Sequence, residues 1–140
     1  MAKKPPSRKP APPAFNHAMI YVRDVGASLG FYSGQLGLRV LQTFEHAGQP
    51  VYARIRAAGN CTIALHQQEP GWKPSHPGGI RLYFEVRDLK RYCAHLAKNG
   101  VKLKQMPKKM PWGWMHAYVD DPDGYEVSLY WAGAARLKKS

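Results

Sequence analysis

His17, His66 and His116, Glu85 and Glu126, and Arg54 and Arg81 fall at alternating strand-like positions among Tyr21, Tyr52, Tyr83, Tyr118, Tyr130 and Trp114. Imidazoles and carboxylates can hold a metal ion or move a proton, whereas a guanidinium among rings can grip a planar anion through paired N–H···O bonds. Two chemistries are open on these residues. In one, His17 or Glu126 is a catalytic base and Arg81 an electrophile. In the other, His17, Tyr21, Arg54, His66, Arg81, Tyr83, Trp114, His116, Ser128 and Tyr130 line a site that binds a small anionic or aromatic molecule. A structural arrangement competes with both: Arg81 ion-paired to Glu85 or Glu126, and His17 hydrogen-bonded to a tyrosine, because buried charges need partners. No Ser–His–Asp or Cys–His grouping and no Gly-rich phosphate loop can be read.

The elements that must carry these residues come in two copies. Ile20-Tyr21-Val22-Arg23-Asp24-Val25 returns 64 positions later as Phe84-Glu85-Val86-Arg87-Asp88-Leu89. Each copy reads as βαβββ. The first predicts a strand over 15–22, a helix capped by Asp24 and ending near Gly37, and strands over 39–45, 50–57 and 61–67. The second predicts a strand over 80–86, a helix from Asp88 to Gly100, and strands over 101–106, 114–120 and 125–131. His46-Ala47-Gly48-Gln49, Gly59-Asn60 and Asp121-Pro122-Asp123-Gly124 are expected turns. Side chains alternate along a strand, so His17, Met19 and Tyr21 share one face, as do Tyr52, Arg54 and Arg56, and Thr62, Ala64 and His66. The second copy sorts likewise into Arg81, Tyr83 and Glu85, then Trp114, His116 and Tyr118, then Glu126, Ser128 and Tyr130. The opposite faces are largely aliphatic.

Two βαβββ units, an early His17, Phe31-Tyr32 with Leu36-Gly37-Leu38, and the Asp121-Pro122-Asp123-Gly124 turn together resemble the vicinal oxygen chelate superfamily. That superfamily includes glyoxalase I, bleomycin-resistance proteins, fosfomycin-resistance enzymes and extradiol dioxygenases. The resemblance covers residues 15 to 131. It implies an α+β fold in which modules 15–68 and 80–131, joined by a linker over 69–79, form a curved, cup-shaped mixed sheet with helices outside. It also implies a homodimer, with the modules pairing within one chain or between two. Metal-using members hold a divalent ion at positions that fall here on His17, Ala64, Arg81 and Ser128, again 64 apart in pairs. Only His17 is a competent ligand among the four, so neither a metal nor another cofactor is expected. A displaced set from His17, His66, His116 and Glu126 would place an ion beside Arg81.

The resulting expectation is a metal-free binding protein of the bleomycin-resistance type; the alternative is a glyoxalase-like lyase, isomerase or dioxygenase-related enzyme with a displaced or absent metal. Cationic bleomycin itself does not suit a basic cup. The loop Lys108 to Trp114 reads either as a lid over ligand or as part of a dimer seam.

The formal net charge is +12, of which Lys3, Lys4, Arg8, Lys9, Arg136, Lys138 and Lys139 supply seven. Residues 1–14 read as a disordered basic, Pro-rich arm and 132–140 as a basic tail. No recognised nucleic-acid motif accompanies them, so specific nucleic-acid binding is not expected. The absence of a signal-like or membrane-length apolar stretch predicts a cytoplasmic protein without a membrane partner. Cys61 and Cys93 are expected to be reduced and structural, and His46, His76 and His95 to be exposed.

Overall fold

The structure is a computed structural model that describes residues 10, 12, 15–70 and 80–133. The arm over 1–14, apart from Pro10 and Pro12, the linker beyond Pro70, His76 and the tail beyond Gly133 lie outside the described residues. Two α+β modules follow one another. The first contains β1 (His17–Val22), α1 (Val25–Leu29), β2 (Arg39–His46), β3 (Gln49–Arg56) and β4 (Thr62–Gln67). The second contains β5 (Arg81–Glu85), α2 (Leu89–Lys98), β6 (Gln105–Lys109), β7 (Met115–Asp120) and β8 (Glu126–Trp131).

Each module forms its own four-stranded mixed sheet, ordered β1-β4-β3-β2 and β5-β8-β7-β6. The duplication is preserved at the level of register. His17 pairs with Thr62 and Arg81 with Glu126, while Arg54 pairs with Ala64 and Tyr118 with Ser128; every partner is shifted by the same 64 residues. Partners in register share a face, so the sequence-derived rows meet across the strands as expected. On the opposite face Ile20, Ala53 and Leu65 align and are almost fully buried.

Asp24 starts α1 by accepting a hydrogen bond from the Ala27 N–H at 3.1 Å, and Asp88 does the same for α2 with Arg91 at 3.4 Å. These caps satisfy amides that have no partner within the helix. Beyond Leu29 the first helix widens into π-helical turns over Gly30–Gln35, which end at Gly37 with φ +85°. Ala47 and Gly48 both take positive φ in the tight β2–β3 turn, as the twist of a two-residue hairpin requires.

Two expectations need correction. The third-from-last strand is not 101–106 but Gln105–Lys109: Val101 instead closes α2, its N–H donating to Leu96 O, and packs into the core. Pro107, which has no N–H, sits where the β6–β7 register shifts on an edge strand. Cys61 is also not a structural core residue, because it is exposed just before β4; Cys93 is buried, and desolvation pushes its thiol up to about 11.

The two modules share one hydrophobic core. Their polar contacts are concentrated on the β7–β8 turn. Tyr32 OH donates to Asp121 Oδ2 at 2.7 Å, and Asp121 Oδ1 accepts from the Asp123 and Tyr125 amides, each at 2.9 Å. Tyr125 OH reaches Tyr21 O, Arg23 pairs with Asp123 at 3.0 Å, and Tyr92 OH reaches Leu36 O. At the duplicated turn, Ala57-Ala58-Gly59, no carboxylate is available. There a cavity of about 730 Å³ opens between the modules, bordered by that turn and by Ile63, Leu82, Phe84 and Tyr92.

Candidate functional site

The polar strand faces assemble two groups, one per module. In the first, Arg54 of β3, opposite Ala64 of β4, reaches diagonally across that strand to His17 of β1, opposite Thr62. Arg54 Nη2 lies 3.1 Å from His17 Nε2, and Arg54 Nε donates to Tyr52 OH at 3.2 Å. An arginine nitrogen can only donate, so His17 Nε2 is the acceptor and its proton sits on Nδ1, which faces Asn16 Oδ1 at 2.7 Å. The lone pair that would take a proton or hold a metal is therefore occupied by a guanidinium. His66 donates from Nδ1 to Gln67 O, 2.8 Å away, and its ring meets Tyr21 and Tyr52 at 5.4 and 6.3 Å. No carboxylate pairs with Arg54 among the described residues.

Arg81 is different. Its Nε lies 2.7 Å from Glu126 Oε2, while Lys104 Nζ contacts Glu126 Oε1 at 3.3 Å and Asp120 at 3.1 Å. Of the two arrangements open for Arg81, the ion pair with Glu126 is the one formed. A hydrogen bond with Tyr83 and the Glu126 charge both raise the guanidinium pKa further, so Arg81 is a cation with its counter-charge already in place. Both Glu126 oxygens face cations. Lys104 was not foreseen as a partner; its signal was only the charge pairing of neighbouring strand ends.

The second group centres on His116, which is 4% exposed. Five rings surround it: Trp112 at 5.3 Å and edge-on, Tyr118 and Tyr130 at 5.8 Å, and Trp114 and Tyr83 at 6.3 Å. Trp114 is also stacked on Tyr130 at 5.3 Å with 13° between planes. His116 Nδ1 meets Tyr118 OH at 3.2 Å, but Nε2 is buried without a hydrogen-bond partner, as is Ser128 Oγ on the neighbouring strand. Each such orphan costs about 1–3 kcal/mol. Trp112 was read only as part of the loop, yet the tight turn closed by Gly113 N–H to Met110 O brings it against His116.

Burial lowers the His116 pKa, because a desolvated imidazolium is disfavoured. An unfolded chain therefore binds this proton more readily than the folded one, and stability is lost as pH falls below the ordinary value of 6.5. Between pH 7.5 and 5 the melting temperature of the wild type is expected to fall more than that of His116→Phe. Parallel pH profiles would mean that the fold does not resist protonation at this ring.

The four positions at which metal-using relatives of the fold place ligands can be tested on this donor set. Ala64 has no donor atom, Arg81 is a cation paired to Glu126, and His17 Nε2 is taken by Arg54. Ser128 Oγ alone is unengaged, and a neutral hydroxyl is a weak ligand. The residues do not fit a divalent ion. The displaced set divides between modules, with His17 and His66 in one and His116 and Glu126 in the other. Among the described residues no three His, Cys, Asp or Glu side chains are grouped to hold a metal.

Comparison with known proteins follows the fold. The family model for the Glyoxalase/Bleomycin resistance protein/Dioxygenase superfamily matches residues 14–129. A probable lactoylglutathione lyase of Synechocystis sp. is 29% identical over 119 residues, covering 81% of this chain and 91% of that protein. Among solved structures, TnmS3, an antibiotic binding protein from Streptomyces sp. CB03234, has a TM-score of 0.69 and 25% identity, covering 86% of this chain and 97% of that one. A superfamily member from Sphaerobacter thermophilus DSM 20745 has a TM-score of 0.65 and 27% identity over 84% and 96% of the two chains. No helix among the described residues is long and apolar enough to cross a membrane.

Proposed function

Because the chain belongs to the glyoxalase/bleomycin resistance protein/dioxygenase superfamily, we propose that it is a binding member of that superfamily, taking a small aromatic anion at Arg54 without a metal. One observation carries this reading: His17, at the first ligand position, holds a guanidinium instead of offering its lone pair to an ion. Arg54 has no carboxylate counter-charge among the described residues, its hydrogen-bond partners being the His17 ring and the Tyr52 hydroxyl. Its remaining N–H groups suit a carboxylate or phosphate fork, and Tyr21, Tyr52 and His66 supply ring surface around it. A guanidinium binds and polarises but cannot activate water as a Lewis acid does, so retention or sensing of a ligand fits this site better than lyase chemistry. TnmS3, similar over most of its length, is a precedent for binding within this fold. The proposal extends to a homodimeric, cytoplasmic protein.

The test is a thermal-shift and calorimetric screen of benzoate, salicylate and 2-naphthoate, with acetate as the ring-free control. Arg54→Gln is expected to weaken the best aromatic acid by ten- to a hundredfold, about 1.5–3 kcal/mol, and Arg54→Lys to restore only part. Arg81→Gln is expected to leave that affinity within twofold. If Arg81→Gln abolishes binding and Arg54→Gln does not, the anion belongs to Arg81. In parallel, lactoylglutathione lyase activity should be absent with Ni or Zn supplied; turnover that vanishes in His17→Ala would favour the enzyme reading.

A further inference from the structure

The duplication allows the two ends of the joint between the modules to be compared position by position, and only the end beside Asp121 is filled. Tyr125 is 3% exposed and Val127 fully buried, whereas their counterparts 64 residues earlier, Cys61 and Ile63, are exposed and half-buried. Ile20 is buried, while Phe84, its counterpart in the second module, is half-buried. Asp121 and Asp123 correspond to Ala57 and Gly59, so the carboxylates are missing from this end as well. Here lies the cavity of about 730 Å³, walled by Ala18 and Ile63 of one sheet, Leu82 and Phe84 of the other, and Leu36 and Tyr92. Those strand residues belong to the aliphatic faces, opposite the rows that carry Met19 and Tyr83. Val86 and Tyr92 also border a second cavity of about 310 Å³, so the apolar space extends along the joint.

We propose that this cavity binds an unbranched alkyl chain with an anionic head, as in a medium-chain fatty acid. The chain lies between the two aliphatic sheet faces, and the carboxylate meets Arg56 at the rim. The volume is that of a small-molecule site, which falls at about 300–1,000 Å³, and its walls offer apolar area that the fold buries at the other end and leaves half-covered here. The head group follows from charge. Arg56 is the last residue of β3, borders the cavity and stands opposite Arg39 in register. Among the described residues neither is ion-paired to a carboxylate. Like charges directly opposite on paired strands disfavour each other, and an anion between them offsets that cost. Glu85 borders the cavity from the second module and repels such a head, which sets the direction of the chain: carboxylate toward Arg56, methyl end toward Tyr92. The inference does not rest on the anion site at Arg54.

The experiment titrates the full-length protein with hexanoate, octanoate and decanoate by calorimetry, each below its micelle concentration. Every two added CH₂ groups are expected to tighten binding roughly tenfold, as burial of an alkyl chain requires. Cys61, exposed at the cavity border, reports the place. Saturating decanoate should slow its modification by N-ethylmaleimide at least fivefold, read by mass spectrometry, while acetate leaves the rate unchanged. Cys61→Tyr, which gives this end the side chain that fills the other, should weaken decanoate at least tenfold, and Arg56→Gln about tenfold. Arg54→Gln should leave decanoate within twofold, which separates this site from the anion site. Affinity independent of chain length, Cys61 modification unaffected by bound decanoate, or loss of binding in Arg54→Gln but not in Arg56→Gln overturns the proposal. So does modification of Cys61 that speeds up when the protein alone is diluted, because a second copy would then cover the cavity. Should Cys61→Tyr fail to fold, the chain-length series and the protection of Cys61 decide.

Discussion

Asp121→Ala is expected to lower the stability of the fold by about 3–5 kcal/mol, a drop of roughly 10–15 °C in melting temperature for a chain of this size. The carboxylate accepts three hydrogen bonds, one across the modules from Tyr32 OH and two within its own turn from the Asp123 and Tyr125 amides. Asp121 is 5% exposed and Tyr32 has no exposure at all, so water cannot replace those bonds when the side chain is cut away. Burial raises the Asp121 pKa more than its hydrogen bonds lower it, and burial likewise raises that of Tyr32. The network is thus a satisfied buried cluster rather than an ion pair, and its value lies in not leaving donors orphaned. Tyr32→Phe removes one donor and should cost about 1–3 kcal/mol, while Asp121→Asn, which retains an acceptor for the two amides, should fall between. A thermal or urea melt in which Asp121→Ala lies within 1 kcal/mol of wild type would show that the turn does not couple the modules.

The second large effect separates two sequence neighbours. Leu65→Ala should destabilise by about 2–5 kcal/mol, because Leu65 is fully buried between Ile20 and Ala53 and its truncation leaves a cavity as well as losing apolar burial. His66→Ala, one residue later on the other face, should cost about 1 kcal/mol, since it gives up partial ring contacts with Tyr21 and Tyr52 and a local hydrogen bond to Gln67 O but leaves no core cavity. Chemical denaturation of both variants reads the difference directly. Equal losses would mean that the two faces of β4 are not divided into core and site.

That division was legible from the chain because strand side chains alternate and the duplication supplies an internal alignment. The offset that related His17 to Arg81 in sequence is the same one that relates their strand partners, Thr62 and Glu126, in space. Helix starts were equally legible, since Asp24 and Asp88 carry their own capping chemistry. What sequence could not choose was between partners on strands remote in the chain. Arg81 had two carboxylates within plausible reach, and only the register of β5 against β8 places Glu126 directly beside it. Arg54 was one lining residue among several, because nothing local in the sequence reveals that it donates a hydrogen bond to His17. Asp121 looked like a turn residue and no more; its bond to Tyr32 spans 89 positions and depends on how the modules dock. Trp112 was hidden for a related reason, since a five-residue turn determines where its ring falls. Val101 followed the aliphatic pattern of a strand but serves as the closing contact of α2, where tertiary burial outweighs β propensity.

The cavity of about 730 Å³ beside Ala57-Ala58-Gly59 and the polar contacts of Asp121-Pro122-Asp123 occupy duplicated positions, so the joint between the modules is tied by several hydrogen bonds at one end and, beside the cavity, by the bond from Tyr92 OH to Leu36 O. The joint is therefore uneven, and its two ends are expected to open at different cost: the Tyr125 amide, held by Asp121, should exchange more slowly than the amides bordering Gly59, a difference that hydrogen–deuterium exchange reads directly.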